Sequence, residues 1–317
     1  MSFEIAFGTL EIGLIYALVS LGVLISFRML DFPDLTADGS FPLGGAVCGL
    51  CLYMGVNPWL ATLYGALAGA CAGMITAWLY VRLNILQLLA SIIVMIGLYS
   101  INLRILGLAP FLKHETPRMA GSPNLPLLDA DTIFKPFINS DYSNQYFVQP
   151  LMVLGFVIVC WLLLNAFLNT QQGLALRATG ANARMARSQG IATGRTIIIG
   201  MAISNALIAL GGAIFVQTQG NADISIGVGT IVIGLAAVII GESLFPAKRM
   251  WLITLSVIFG SLIYRFFIAV ALGNETLQNI GIGTEDLNMI TAILVTLALI
   301  LPKQIKKWLK RRKGATT

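Results

Sequence analysis

Charge is scarce in this sequence. Only 11% of its 317 residues are Asp, Glu, Lys or Arg, against 57% hydrophobic, and the mean hydropathy is +0.85. So little polar surface cannot cover a water-soluble globule, which excludes one or two soluble domains and leaves a polytopic membrane protein. Histidine is nearly absent, and the single His114, between Lys113 and Glu115, reads as a surface residue with no role. The four cysteines (Cys48, Cys51, Cys71 and Cys160) all lie inside apolar runs. Cys48 and Cys51 form a CxxC without a second pair, so packing is expected rather than redox or zinc chemistry. No GxxxxGK[ST] occurs, so the chain carries no P-loop of its own. Residues 1–27 contain no Lys or Arg and no small-residue cleavage site, so no cleavable signal peptide is expected.

What is present is apolar sequence in long runs. Nine segments stand out: Ala6–Phe27, Phe41–Gly55, Pro58–Val81, Ile85–Gly107, Phe147–Leu168, Thr196–Gln217, Ile226–Phe245, Trp251–Leu272 and Leu287–Leu301. A spanning helix needs about 20 residues, so the second and ninth are short and their paths open to tilt or breakage. The fold class is therefore all-α, with about 8–10 transmembrane helices in one domain, residues 1–317.

The net charge of +6 does not mark a nucleic-acid partner. Of the 20 Lys and Arg, 11 fall in two places, Gly173–Arg195 and Lys303–Lys313. That clustering sets membrane orientation. With the tail 302–317 cytoplasmic, Lys248, Arg249, the 173–195 stretch, Arg82 and Arg28 all fall inside. The base-free loop Gly273–Asp286 and the N-terminus fall outside. Leu108–Tyr146 is then an external loop holding five of the 11 prolines, expected as stiffened chain with short helical pieces. It reads equally as a covering flap or as a docking surface.

The sequence also repeats itself. Ala37–Leu50 (ADGSFPLGGAVCGL) matches Ala222–Leu235 (ADISIGVGTIVIGL) at seven of 14 positions. The helices just before correspond too, Tyr16–Ile25 against Asn205–Ile214, at five of ten positions. By the charge-derived topology the first copy starts inside and the second outside, so the repeats (about 6–107 and 196–301) are inverted. Inverted repeats belong to transport proteins whose halves move around a midplane site. Each opens with AD-x-S before a glycine-rich helix. Asp38, Ser40, Gly44, Asp223, Ser225, Gly229 and Gly234 are accordingly candidates for a translocation pathway, beside the plainer reading that Asp38 and Asp223 cap their own helices. Gly65, Gly69 and Gly73 form a GxxxGxxxG face suited to intrachain packing.

Few ionisable residues lie deep in the apolar segments: Glu11, Arg104, Glu242 and Arg265, the last expected to snorkel outward. There is no chain of carboxylates for proton or sodium coupling, so energy is expected from outside the chain. An ion-driven secondary carrier with inverted repeats is the alternative. A third reading takes Asp31, Asp34 and Asp38 (DFPDLTAD) as a Mg²⁺-diphosphate ligand set of a membrane prenyltransferase, but only Asp223 is available as a facing carboxylate.

The stretch GLALRATGANARMARSQGI resembles the cytoplasmic coupling segment of ABC importer permeases of the branched-chain amino-acid and ribose type. The matching residues are Gly173, Arg177, Ala178, Gly180, Asn182, Ala186, Gly190 and Ile191. Gly229–Gly241 (GTIVIGLAAVIIG) is a second match. DLTADGSFPLGGAV and MAGSPNLPLL resemble the subgroup assigned to aromatic amino acids such as tryptophan or tyrosine. The resemblance implies a type II-like importer permease fold in the bacterial cytoplasmic membrane. It also implies a second permease copy, an external binding protein, and a cytoplasmic ATPase that holds ATP and Mg²⁺; this chain would bind no cofactor. Arg177–Ile191 would then sit in a cleft of the ATPase, and the chain itself would not be an enzyme.

Overall fold

The computed structural model describes residues 3–112, 121–128, 130–137, 142–247, 249–272 and 296. His114, Lys248, the acidic loop Gly273–Asp286, the basic tail and, apart from Thr296, the segment Leu287–Leu301 lie outside them. Ten α-helices dominate: α1 (Phe3–Val23), α2 (Ala37–Tyr53), α3 (Pro58–Leu83), α4 (Gln87–Leu112), α5 (Tyr142–Leu168), α6 (Gln171–Ala181), α7 (Ala183–Ser188), α8 (Thr193–Gln219), α9 (Thr230–Leu244) and α10 (Met250–Leu272). Among the described residues seven segments are long and apolar enough to cross a membrane. α2, at 17 residues, falls just short of that length, and α9 reaches it only together with residues 224–229 before it.

Local sequence sets the boundaries. Asn57 caps α3 by accepting the Trp59 amide, with Pro58 at the first helical position, where its missing N–H costs nothing. α8 ends on Gly220 at φ 66°, a left-handed position that glycine takes without strain. α1 widens into a π-helical turn at Leu24–Met29, which aims the following link back into the protein. As a result Phe32, Asp34 and Thr36 are buried, and α2 begins at Ala37, four residues before its apolar run. Sequence polarity alone placed that start at Phe41, because Asp38, Gly39 and Ser40 look like loop.

Burial separates axis from periphery. In the most apolar window, 83% of the α1 span is buried, against 28% of the α5 span. α1 packs on α5, α8, α9 and α10, while α8 packs on α1, α2 and α3. Each of the two central helices thus serves as the floor for the other half's helix pair. The α2–α3–α8 seam is built from small residues. A Cβ on Gly65 would strike the Gly44 carbonyl, one on Gly69 the Asn205 carbonyl and one on Gly73 the Met201 carbonyl. Only hydrogen at those positions lets the backbones close, so dispersion is gained along the whole seam.

Asn124–Pro126 (β1) pairs antiparallel with Asn221–Asp223 (β2), Leu125 opposite Ala222. Leu125, Leu127 and Phe134 are buried, and the Ile133 amide donates to Gln217 Oε1 at 3.1 Å. The described part of the 108–146 segment is therefore fastened over the end of α8. Cys48 is a free, buried thiol 3.4 Å from Gln217 Nε2, a packing role. Arg265, instead of simply reaching outward, holds its guanidinium 5.7 Å from the centroid of the buried Tyr16 ring.

Candidate functional site

The first part of the site is a break in the second repeat. Where α2 runs unbroken from Ala37, its counterpart is split into a 3-10 turn (Ile224–Gly227) and α9, with Gly229 at φ 81° between them. The split frees the first amides of α9. Asp38 fills them: Oδ1 accepts the Ile231 amide at 2.8 Å and Oδ2 the Gly229 amide at 3.3 Å. Asp38 therefore does not cap its own helix, whose N-cap Thr36 makes no side-chain capping bond. It caps the helix of the other repeat, where its charge also meets the positive end of the α9 dipole. Asp223 does cap locally, accepting from the Ser225 amide and hydroxyl at 2.7 Å each.

Behind this junction lies a buried polar chain. Ser40 Oγ donates to Asn205 Oδ1 at 2.7 Å, and Asn205 Nδ2 donates to Asp34 Oδ2 at 2.7 Å. Asp34 Oδ1 takes the Thr36 amide at 3.0 Å, and the Thr36 and Thr76 hydroxyls lie 2.8 Å apart. Every link is paired, so these groups tolerate burial. Both Asp34 oxygens are engaged by protein donors and Asp38 serves α9, so the DFPDLTAD aspartates do not form the open carboxylate cluster that a diphosphate-Mg²⁺ site requires.

In front of it opens a cavity of about 610 Å³. Its apolar wall is Pro42, Met95, Ile96, Tyr99 and Val228; its polar groups include Asp38, Asn102 and Ser225. Met95–Asn102 are the middle turns of the 26-residue α4, so the cavity lies at mid-depth of a helix about 39 Å long at 1.5 Å per residue. Of the seven candidate pathway residues, Asp38 and Ser225 line this space. Gly229 sits at the adjoining break. Ser40 is fully buried in the polar chain, Gly44 lies against the Ala209 backbone and Gly234 against the Val23 side chain. Asn102 was not singled out by sequence; its signal is a lone asparagine amid the apolar run Ile85–Gly107.

The second part is the basic stretch. It folds as two short helices, α6 and α7, hinged at Asn182, whose extended backbone (φ −161°, ψ 97°) stops α6. Its Oδ1 then accepts the Arg184 and Met185 amides at 3.1 Å, starting α7. α7 ends in a Schellman turn: Gly190, at φ 81°, donates to Arg187 O and the Ile191 amide to Ala186 O, both at 3.0 Å. Gly173 turns tightly on Phe167 and Leu168, and Gly180 abuts the Met29 carbonyl at the end of α1's π-helical turn. Ala186 and Gly173 face inward, whereas Ala178, Asn182 and Gly190 are exposed. Arg177 Nη2 donates to Leu168 O at 3.2 Å and Arg187 Nε to Thr193 Oγ1 at 2.9 Å. Leu174 (55% exposed) on α6 and Met185 (62%) on α7 are exposed apolar side chains of this stretch. Nearby, Arg28 Nε meets Glu242 Oε1 at 2.9 Å, tying the π-turn to the far end of α9.

A multi-pass helical body, a mid-depth cavity beside a broken helix, and an exposed helical hairpin at one end define a membrane transport permease. The chain matches, over residues 5–301, the family described as branched-chain amino acid transport system / permease component. It belongs to that family and acts as the permease component of an ABC importer. A tyrosine transport system permease protein of Clostridioides difficile is 38% identical over 283 residues, covering 89% of this chain and 86% of the relative. A probable branched-chain amino acid transport permease protein LivH of Methanocaldococcus jannaschii is 28% identical, covering 65% and 64%. Among solved structures, PsaBC from Streptococcus pneumoniae, in complex with a Fab, superposes with a TM-score of 0.50 at 12% identity, covering 93% of this chain and 89% of that chain. That likeness is one of fold alone.

Proposed function

We propose that this permease imports an aromatic amino acid, delivered by an external binding protein and driven by a cytoplasmic ATPase that binds ATP and Mg²⁺. The observation that carries the substrate class is the mid-depth cavity, whose wall of Met95, Ile96, Tyr99 and Val228 suits a large apolar side chain. The 38% identity to a tyrosine permease agrees with it. The path runs along this cavity, bounded by Asp38, Ser225 and the Gly229 break, and a second copy of the chain closes its open side. The two halves act as inverted repeats, an arrangement supported by the reciprocal packing of α1 and α8. The α6–α7 hairpin, with the C-terminal tail on the same cytoplasmic side, fits the ATPase cleft through Leu174, Met185 and the exposed arginines. Closure of the ATPases moves it, and the Gly180–Met29 contact passes that movement to α1.

The test is uptake into proteoliposomes holding the permease with its ATPase and binding protein. ATP inside should drive accumulation of labelled tyrosine or tryptophan, and omission of the ATPase should abolish it. Uptake driven by an ion gradient without the ATPase would replace this reading with a secondary carrier. A complete, ATP-hydrolysing assembly that moves other solutes but no aromatic amino acid would overturn the substrate class.

A further inference from the structure

Asn102 is fully buried on α4, yet its Oδ1 has no hydrogen-bond partner among the described residues. Its orientation is fixed chemically. Nδ2 donates to Gly39 O at 3.2 Å, and because that carbonyl can only accept, the amide nitrogen must face it. An orphaned buried carbonyl is costly to leave unmade, and this one belongs to a residue lining the cavity. Asp38 beside it has each oxygen engaged once by an α9 amide, which leaves lone-pair capacity on both. Pro42 has no N–H, so the Asp38 carbonyl is also deprived of its usual donor four residues on. Among the described residues no Lys, Arg or His lines the cavity. The positive end of α9, which would otherwise attract an anion, is already satisfied by Asp38.

This wall offers acceptors and a negative charge, with a complement that is cationic and rich in donors. We infer that the cavity recognises the ammonium group of a primary amine, with Asn102 Oδ1 and the Asp38 carboxylate as acceptors and Ile96 and Tyr99 bounding its side chain. An ammonium brings three donors, enough to satisfy the orphaned amide and share the carboxylate. The inference rests on the transport reading above and deepens it: the permease itself screens for the amine end of its substrate. Because Asp38 also holds the start of α9, occupancy bears on the contact that joins the two repeats.

Saturation-transfer NMR on the purified permease in lipid nanodiscs tests this with three probes. Tyrosine carries ammonium and carboxylate, tyramine only the ammonium, and 3-(4-hydroxyphenyl)propionate only the carboxylate. Tyrosine and tyramine should both give signal, with the propionate about tenfold weaker, the loss expected for one charge-assisted contact. Ile96→Trp, which fills the cavity from its exposed wall, should abolish the signals while the thermal midpoint of the protein holds. Asn102→Leu should weaken tyramine by a similar factor, and its folding is checked by the same midpoint. Equal signals from all three probes would overturn the inference, as would undiminished signals in Ile96→Trp. The transport reading fails separately: amine discrimination without ATP-driven aromatic uptake overturns that reading alone, and uptake without discrimination overturns this one alone.

Discussion

The Asp38 carboxylate accepts the Ile231 amide at 2.8 Å across a separation of 193 residues. It joins the first turn of one repeat's short helix to the first turn of the other's. α9 therefore begins where it does because α2 supplies its cap, and a change on either side is felt on both.

Asp38→Ala strips the cap and the charge together. Loss of an N-cap and of a favourable dipole contact should lower stability by about 1–2 kcal/mol. Thermal melts of the purified protein should show this, and uptake should fall more steeply than stability. Asp38→Asn keeps one acceptor and should melt between the two. An unchanged midpoint in the alanine variant would mean that water caps α9 equally well.

Gly180→Leu inserts a side chain where the hairpin meets the Met29 carbonyl. The hairpin must then shift away from α1 while its outer surface survives. The expected phenotype is uncoupling, with ATP hydrolysis by the reconstituted assembly retained and uptake reduced about tenfold, a loss of roughly 1.4 kcal/mol of coupling. Uptake and hydrolysis falling in parallel would argue against transmission through this contact.

Asn182→Ala removes the acceptor shared by the Arg184 and Met185 amides, at a cost of about 1 kcal/mol to α7. Amide exchange at Arg184 and Met185 should speed up, and the apparent affinity for the ATPase should drop. Asn182→Asp keeps the cap and should restore both; failure of that rescue would assign Asn182 another role.

Gly69→Val drives a branched side chain into the Asn205 carbonyl and Ala209. Overpacking costs about 1–3 kcal/mol or more, and here it also pries at the Asn205–Asp34 bond. Yield of folded, monodisperse protein should collapse. Gly97→Val, on the same kind of helix but with open space around it, should be tolerated.

Arg28 and Glu242 form a partly exposed pair, with side chains 65% and 33% accessible. Such a pair contributes about 1 kcal/mol or less. Arg28→Gln and Glu242→Gln should each shift the melting point only slightly. The double variant should lose little more than either single one, a non-additivity that a double-mutant cycle would read directly.

Much of this is legible in the sequence. Runs of apolar sequence marked α1, α3, α4, α5, α8, α9 and α10, and the glycine spacing at 65, 69 and 73 marked the seam. Glycines and Asn182 within a basic stretch marked the 173–195 segment as an element of its own. What stayed hidden depended on partners far along the chain. The task of Asp38 is set by amides near residue 230, and local pattern pointed to a cap on its own helix. Asn102 and Asn205 were each a single asparagine in an apolar run. Nothing in their neighbourhoods says that one finds Ser40 and Asp34 while the other keeps a bare carbonyl. The early start of α2 was missed because its polar first turn is buried by protein rather than facing water.

The reciprocal packing of α1 and α8 bears on how the chain is made. α8 begins 170 residues after α1 ends, counting from Val23 to Thr193. Until it arrives, Asp34 and Ser40 lack Asn205, Gly22 O lacks the Ser204 hydroxyl, and Gly69 and Gly73 of α3 lack the Asn205 and Met201 backbone they lie against. The first half must therefore wait in the bilayer as a loose set of helices, its polar groups sheltered by water or by the insertion machinery. A chain halted after α5 is membrane-embedded but unfinished, and quality-control proteases should see it as such.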